Sequence, residues 1–167
     1  MTRPDDENAW PEPVRRVTAA LRDAGADGRV EEFPTGAATA EDAARAVGCD
    51  LRRIVKSLVF DCDGRYVLVM VPGDRRADAQ KVAALTGAAR AKVGGPDAVE
   101  AATGYEPGAV APFALRNVDL VLIDKSLVGG ETLWVGAGTS RHMAGLPATE
   151  LVRVSCARPA DVVATAV

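Results

Sequence analysis

This chain predicts a single α+β domain: a mixed, mostly antiparallel central sheet, barrel-like in part, surrounded by helices. Three observations carry that prediction. The 167 residues are 48% hydrophobic and 26% charged, with a net charge of −3, a composition that suits one globular domain able to bury about two thirds of its unfolded surface. Helical and strand periods intermix without the strict alternation of a doubly wound parallel sheet. An Asp63-Gly64 step joins two β-rich runs, which is a strong hairpin signal.

The elements follow in order. Residues 1–11, "MTRPDDENAWP", are polar and proline-containing. They read as a flexible arm with Trp10 as the residue able to dock, ahead of a domain over 12–167. In "PEPVRRVTAALRDAGADG", Val14, Val17, Leu21 and Ala24 share one helical face and Gly25 is a stop. "RVEEF" is a short strand. "TAEDAARAVG" carries a Thr39-x-x-Asp42 capping pattern and ends at Gly48. "LRRIVKSLVF" reads as a strand running on to Cys62, and "RYVLVMV" is its hairpin partner. "PGDRR" is a turn. "ADAQKVAALTG" is a helix with Asp78 at its start and Gly87 at its end. A second helix, "GPDAVEAATG", has Pro96 in its first turn and Gly104 as its stop. "YEPGAVAPFAL", with two prolines and no period, is a partly apolar loop. "VDLVLID" and "ETLWVGA" are strands separated by Gly129-Gly130. "LPATELVRVSC" is a short helix or turn leading to a last strand, and "RPADVVATAV" forms a final helical turn or frays.

Composition excludes several function classes. Aromatic residues make up 4%, too few to stack along an unpaired nucleic acid strand. The acidic balance argues against broad binding to nucleic acid, though not against touching one end of an RNA. Three cysteines with no CxxC spacing make neither a disulfide framework nor a zinc site. With no signal peptide and no long apolar run, the expectation is a reduced, cytoplasmic chain without membrane, metal or cofactor.

A lysine stands in the middle of the most apolar strand. Alternation places Ile54, Lys56, Leu58 and Phe60 on one face and Val55, Ser57 and Val59 on the other. A charged lysine in such a row either snorkels out at a strand end or is a fixed cation at the floor of a cleft, aimed at an anion. The loop "EPGAVAPF" is either a structural turn or a device that aims backbone groups at a ligand. His142, the one histidine, sits in "TSRHMAG" with no nucleophile elbow, and reads as a surface loop residue. The cysteines read as inert thiols. Basic clusters at Arg15-Arg16, at Arg52-Arg53 with Lys56, and at Arg75-Arg76 with Lys81 are solvated faces or contacts for a few phosphates.

In this order, "IVKSLVF", the hairpin, "GDRRAD..KVAALTGA", "ATGYEPGAVAPFAL", "VLIDKSL" and "LWVGAG" resemble the YbaK family of aminoacyl-tRNA deacylases. That family is similar to the editing domain inserted in prolyl-tRNA synthetases. The resemblance spans roughly residues 13–160. It implies hydrolysis of the ester joining a wrong amino acid to the terminal adenosine of a tRNA. Lys56 matches the family's essential lysine, and Gly108 opens the Gly-x-x-x-Pro loop, Gly108 to Pro112. The implied substrate pocket adds Ser57, the backbone of Ala109, Val110, Ala111 and Pro112, and Phe33, Gly104, Gly136 and Gly138. Arg75, Arg76 and Lys81 are expected phosphate contacts, inferred from charge. The implied partner is a tRNA acceptor end, with an aminoacyl-tRNA synthetase as a further candidate, and no cofactor is implied. Two departures stand out. Relatives often read Pro-Phe-Gly where this chain has Pro112-Phe113-Ala114, and in the Val135–Gly138 segment, where relatives often place a serine or histidine near the substrate, Gly136, Ala137 and Gly138 offer no such side chain. Cysteinyl, alanyl, prolyl or another small aminoacyl ester all fit. A non-catalytic module of the same fold, holding an aminoacyl-tRNA end, a nucleotide or a synthetase, is the alternative.

Overall fold

The structure, a computed structural model, describes residues 9–33, 36 and 39–165. The first part of the N-terminal arm thus lies outside the described residues. The described residues form five α-helices and eight strands: α1 (Glu12–Asp23), β1 (Arg29–Glu32), α2 (Ala40–Val47), β2 (Val55–Cys62), β3 (Arg65–Pro72), α3 (Ala79–Thr86), β4 (Ala91–Val93), α4 (Pro96–Thr103), β5 (Leu120–Asp124), β6 (Thr132–Gly136), β7 (His142–Pro147), α5 (Ala148–Ser155) and β8 (Arg158–Ala160). The helix signals in the sequence act as expected. The Thr39 side chain accepts from the Asp42 N–H, Asp78 accepts from the N–H groups of Gln80 and Lys81, and Gly48, Gly87 and Gly104 close their helices in the left-handed conformation. Asp63 and Gly64 both take positive φ, 55° and 91°, as a two-residue type I′ hairpin requires.

The strands form two sheets. One has the order β1-β7-β6 and is antiparallel throughout; the other has the order β4-β2-β3-β5-β8. In the larger sheet β2 pairs antiparallel with β3 and β4, whereas β3–β5 and β5–β8 are parallel. Among the described residues a single parallel bridge, Ile54 to Trp134, joins the two sheets. Both inner faces share one aliphatic core: Val55 and Val59 of β2, Leu68 and Met70 of β3, Leu133 and Val135 of β6, sealed by Val14, Val17 and Leu21 of α1 and Leu151 of α5. Each such side chain, fully buried, contributes roughly 1.5–3 kcal/mol. The outer face of the larger sheet packs Phe60, Val69 and Leu122 against Val82 of α3.

Three sequence expectations are corrected, and two strands are added. Leu51–Arg53 is a 3-10 turn rather than strand, so β2 proper starts at Val55. The segment after Cys156 forms β8 and a further bridge, Ala77 to Val163, rather than a helical turn. Two strands, β4 and β7, had no clear periodic signal. His142 opens β7 and is buried, with 4% of its surface exposed, so it is no surface loop residue. Trp10 docks, packing against the shared core.

Candidate active site

The second edge of β2 is only partly covered. Its pairing with β4 begins at Phe60, next to a bond from the Gly94 N–H to the Val59 carbonyl. At the other end stands the single Ile54–Trp134 bridge. Between them Val55–Leu58 lie at an open strand edge, and a cleft of about 290 Å³ occupies that gap. Lys56 and Ser57 form one side of it, and Gly108 and Val110 of the proline-bracketed loop form another. Gly136 of β6 lies beside Val110, while Thr39 and Ala43 of α2 and His142 and Met143 of β7 close the rest. Residues far apart in sequence thus converge on one hollow.

Lys56 is half-buried and makes no hydrogen bond or ion pair among the described residues, and the lining holds no carboxylate or thiol. A solitary cation in a partly apolar hollow attracts an anion or a developing oxyanion more strongly than it would in water. Beside it, the Ser57 Oγ is shielded from solvent and has no hydrogen-bond partner among the described residues. A buried hydroxyl without a partner costs roughly 1–3 kcal/mol, and a ligand polar atom in the cleft would relieve that cost.

The loop that shares the cleft with Lys56 is held from behind. The Tyr105 hydroxyl donates to the Phe113 carbonyl at 2.7 Å, and burial pushes the phenol up to about 12. The Arg16 guanidinium lies 4.7 Å over the Tyr105 ring and donates to the Gly104 carbonyl at 2.8 Å. The Gly138 N–H donates to the Ala109 carbonyl at 3.0 Å, and the Ala109 N–H to the Glu106 carbonyl at 3.0 Å. Gly108, exposed with φ 83°, and Val110 are the loop residues left facing the cleft. Ala114 takes φ 53°, a left-handed conformation that costs an alanine roughly 1–2 kcal/mol.

His142, at the start of β7, brings an imidazole to the cleft wall. One ring nitrogen, Nδ1, pairs with Thr139 Oγ1 at 2.6 Å, and the other, Nε2, with Glu32 Oε2 at 3.2 Å across the β1–β7 pair. Trp10 meets the imidazole edge-on, ring centroids 5.3 Å apart. Burial lowers the pKa of His142 from its ordinary value, against the opposing pull of Glu32. Neither nitrogen is bonded to Ser57, so the pair does not form a nucleophile–base couple. The available signal for His142 was Thr139, three residues earlier, whose hydroxyl also accepts from the Arg141 N–H and shapes the turn.

Other expected site residues lie elsewhere. Gly104 caps α4 beneath Arg16 and Arg116. Pro112 borders a separate hollow with Phe113 and Leu115, and Ala109 and Ala111 are buried behind the loop. Gly138 packs on α1, where an added Cβ would sit 2.7 Å from the Pro13 carbonyl carbon. Phe33 packs on the cluster of Ala43, Ala44, Ile54, Trp134 and Met143, a step behind the cleft wall. The expected phosphate contacts also fall away from the Lys56 cleft. Lys81 pairs with Asp161 at 3.0 Å and donates to the Val163 carbonyl, Arg75 donates to the Ala164 carbonyl, and the Arg76 carbonyl accepts from the Ala164 N–H. All three tie down the C-terminal segment.

An α+β domain of two joined sheets, in which a lysine and a braced backbone loop line one cleft, is the class of protein this architecture defines. The chain belongs to the aminoacyl-tRNA editing domain family, which residues 35–154 match. It is 35% identical over 127 residues to the uncharacterized protein YwhH of Bacillus subtilis, covering 75% of this chain and 80% of that one. It is also 35% identical over 136 residues to a proline–tRNA ligase of Nitratidesulfovibrio vulgaris, covering 81% of this chain and 22% of the ligase. This chain therefore spans about a fifth of that enzyme. Among solved structures, one provisionally described as a trans-editing enzyme for prolyl tRNA synthetase superposes with a TM-score of 0.87 at 32% identity, over 93% of this chain and 99% of the other. Among the described residues no helix is long and apolar enough to cross a membrane.

Proposed function

We propose that this chain is a trans-editing hydrolase that deacylates a mischarged aminoacyl-tRNA. The observation that carries the reading is the convergence of Lys56 with Gly108 and Val110 on one cleft at an open strand edge. The ester of an amino acid with a ribose hydroxyl is already activated, so placing it beside a water and stabilising its oxyanion is enough for catalysis. In this reading Lys56 holds the terminal nucleotide or the developing negative charge. Ser57 supplies a hydrogen bond, and the backbone at Gly108 and Val110 orients the carbonyl and the water. The water oxygen bonds to the carbonyl carbon, the bond from that carbon to the ribose oxygen breaks, and a proton passes to the leaving oxygen. His142, held neutral and anchored at both nitrogens, shapes the wall that meets the amino acid side chain.

The cleft suits a small aminoacyl group such as alanyl, cysteinyl or prolyl. The relatives' names make a mischarged tRNA for proline the first substrate to test. Purified protein is expected to release amino acid from at least one such tRNA. Lys56→Ala should lower the rate by 100-fold or more, roughly the loss of one oxyanion partner, with circular dichroism unchanged. Release at the wild-type rate by Lys56→Ala would remove the site assignment. Binding without turnover across a panel of aminoacyl-tRNAs would leave a binding module instead.

A further inference from the structure

On the far side of the Ile54–Trp134 bridge lies a second cleft, of about 340 Å³. Its charged lining is Arg52, Arg53 and Arg75 against Asp74 and Glu131. Only one of the arginines is firmly matched: Arg53 meets Glu131 at 2.6 Å. Arg52 is 3.6 Å from Asp50, with both side chains about two thirds exposed, a pairing worth little. Arg75 donates to the Ala164 carbonyl and makes no ion pair among the described residues. A chain with net charge −3 thus gathers three guanidinium groups in one hollow. Their planar forks match phosphate oxygens better than any other side chain does.

The position of this hollow relative to the first is set by β6, which runs from Leu133 in the second cleft to Gly136 in the first. The chain from Arg53 to Lys56 runs the same way, because the bridge between the two segments is parallel. Three residues of strand span about 10 Å. A stacked nucleic acid strand carries a phosphate every ~3.4 Å along its axis, so about three nucleotides fill that distance. We infer that the Arg52–Arg53–Arg75 cleft is a phosphate subsite, gripping an RNA strand about three nucleotides before the end that occupies the Lys56 cleft. This rests on the editing reading above.

The test uses the full chain and a labelled RNA minihelix ending in an unpaired 3′ strand, with affinity measured by fluorescence anisotropy over a range of salt. Arg75 is left intact because it anchors the C-terminal segment. The Arg52→Gln/Arg53→Gln double variant should bind at least tenfold more weakly, and its salt slope should fall by about 1.4, since a single strand contributes about 0.7 per phosphate neutralised. Its hydrolysis of an aminoacyl ester of adenosine alone should stay at the wild-type rate. Glu131→Gln breaks the same ion pair with the opposite change of charge, frees Arg53 and should tighten binding severalfold. If Glu131→Gln weakens binding as Arg53→Gln does, the pair is structural and the subsite is wrong. An unchanged affinity and slope in the double variant overturns it as well, while the hydrolase reading stands if esters are still cleaved. Binding that depends on Arg52 and Arg53 in a chain that cleaves no ester would support the subsite and remove the hydrolase.

Discussion

Two glycines of the cleft are constrained in different ways. Gly108 has φ 83° and open space around it, so only its backbone angle resists a side chain. For Gly136 the limit is space: a Cβ would lie 2.4 Å from the Val110 carbonyl oxygen, a backbone atom that cannot rotate away. Gly136→Ala should therefore push the loop off β6 and cost about 1–3 kcal/mol, together with most of the activity. Gly108→Ala should cost about 1–2 kcal/mol from its left-handed angle, with no displacement of Val110. Urea melts of both variants beside deacylation rates check the contrast; equal loss of activity per unit of lost stability would contradict it. At this scale the sequence was informative about Lys56, since a cation in an apolar strand demands a reason. For His142 the sequence offered only the nearby Thr139, because its other partner, Glu32, lies 110 residues away and no local pattern reports such a contact.

Helix α2 shows how an element signal becomes a wall of the site. Thr39 is legible as a cap from the Thr-x-x-Asp pattern, and its hydroxyl accepts from the Asp42 N–H at 3.0 Å. The same residue lines the cleft that holds Lys56. Thr39→Ala should cost about 1 kcal/mol, whereas Thr39→Ser should restore stability because the oxygen is kept. If instead the methyl group matters to the bound ester, the serine variant will be stable and still show a raised KM, which steady-state kinetics would separate. The strands that escaped the sequence reading did so for physical reasons. β4 has three residues, too few for a period. β7 is buried along most of its length and holds Gly145 where an alternating pattern would place a side chain. That glycine is obligatory: it faces Trp134 across the ladder, and a Cβ would come within 2.8 Å of the indole. A glycine inside a strand marks close approach, but only the partner's identity reveals what approaches.

At the scale of the molecule, the cleft exists because two sheets meet at one bridge and leave a strand edge open. The hairpin and the helices were legible because their causes are local. The division into two sheets was not, since β5 and β6 follow one another in sequence yet join different sheets. The start of the described chain takes part in closing this assembly. Pro13 seats against Gly138, and Trp10 covers the imidazole of His142. Burial lowers the pKa of His142, so the folded state binds that proton less readily than the unfolded chain. The stability that follows is complete above the ordinary value of 6.5 and is lost as the pH falls through the depressed one. Trp10→Ala should cost about 1 kcal/mol of edge-on packing and let water reach the ring. The pKa of His142, followed by its NMR ring shifts, should then rise toward 6.5, and the acid-side loss of stability tied to it should shrink. Glu32 would drive the rise further, since its carboxylate favours the imidazolium and only burial opposes it. A His142 pKa that falls or stays fixed in Trp10→Ala would show that the indole contributes nothing to burying the ring, and the N-terminal segment would then be packing beside the site without acting on it.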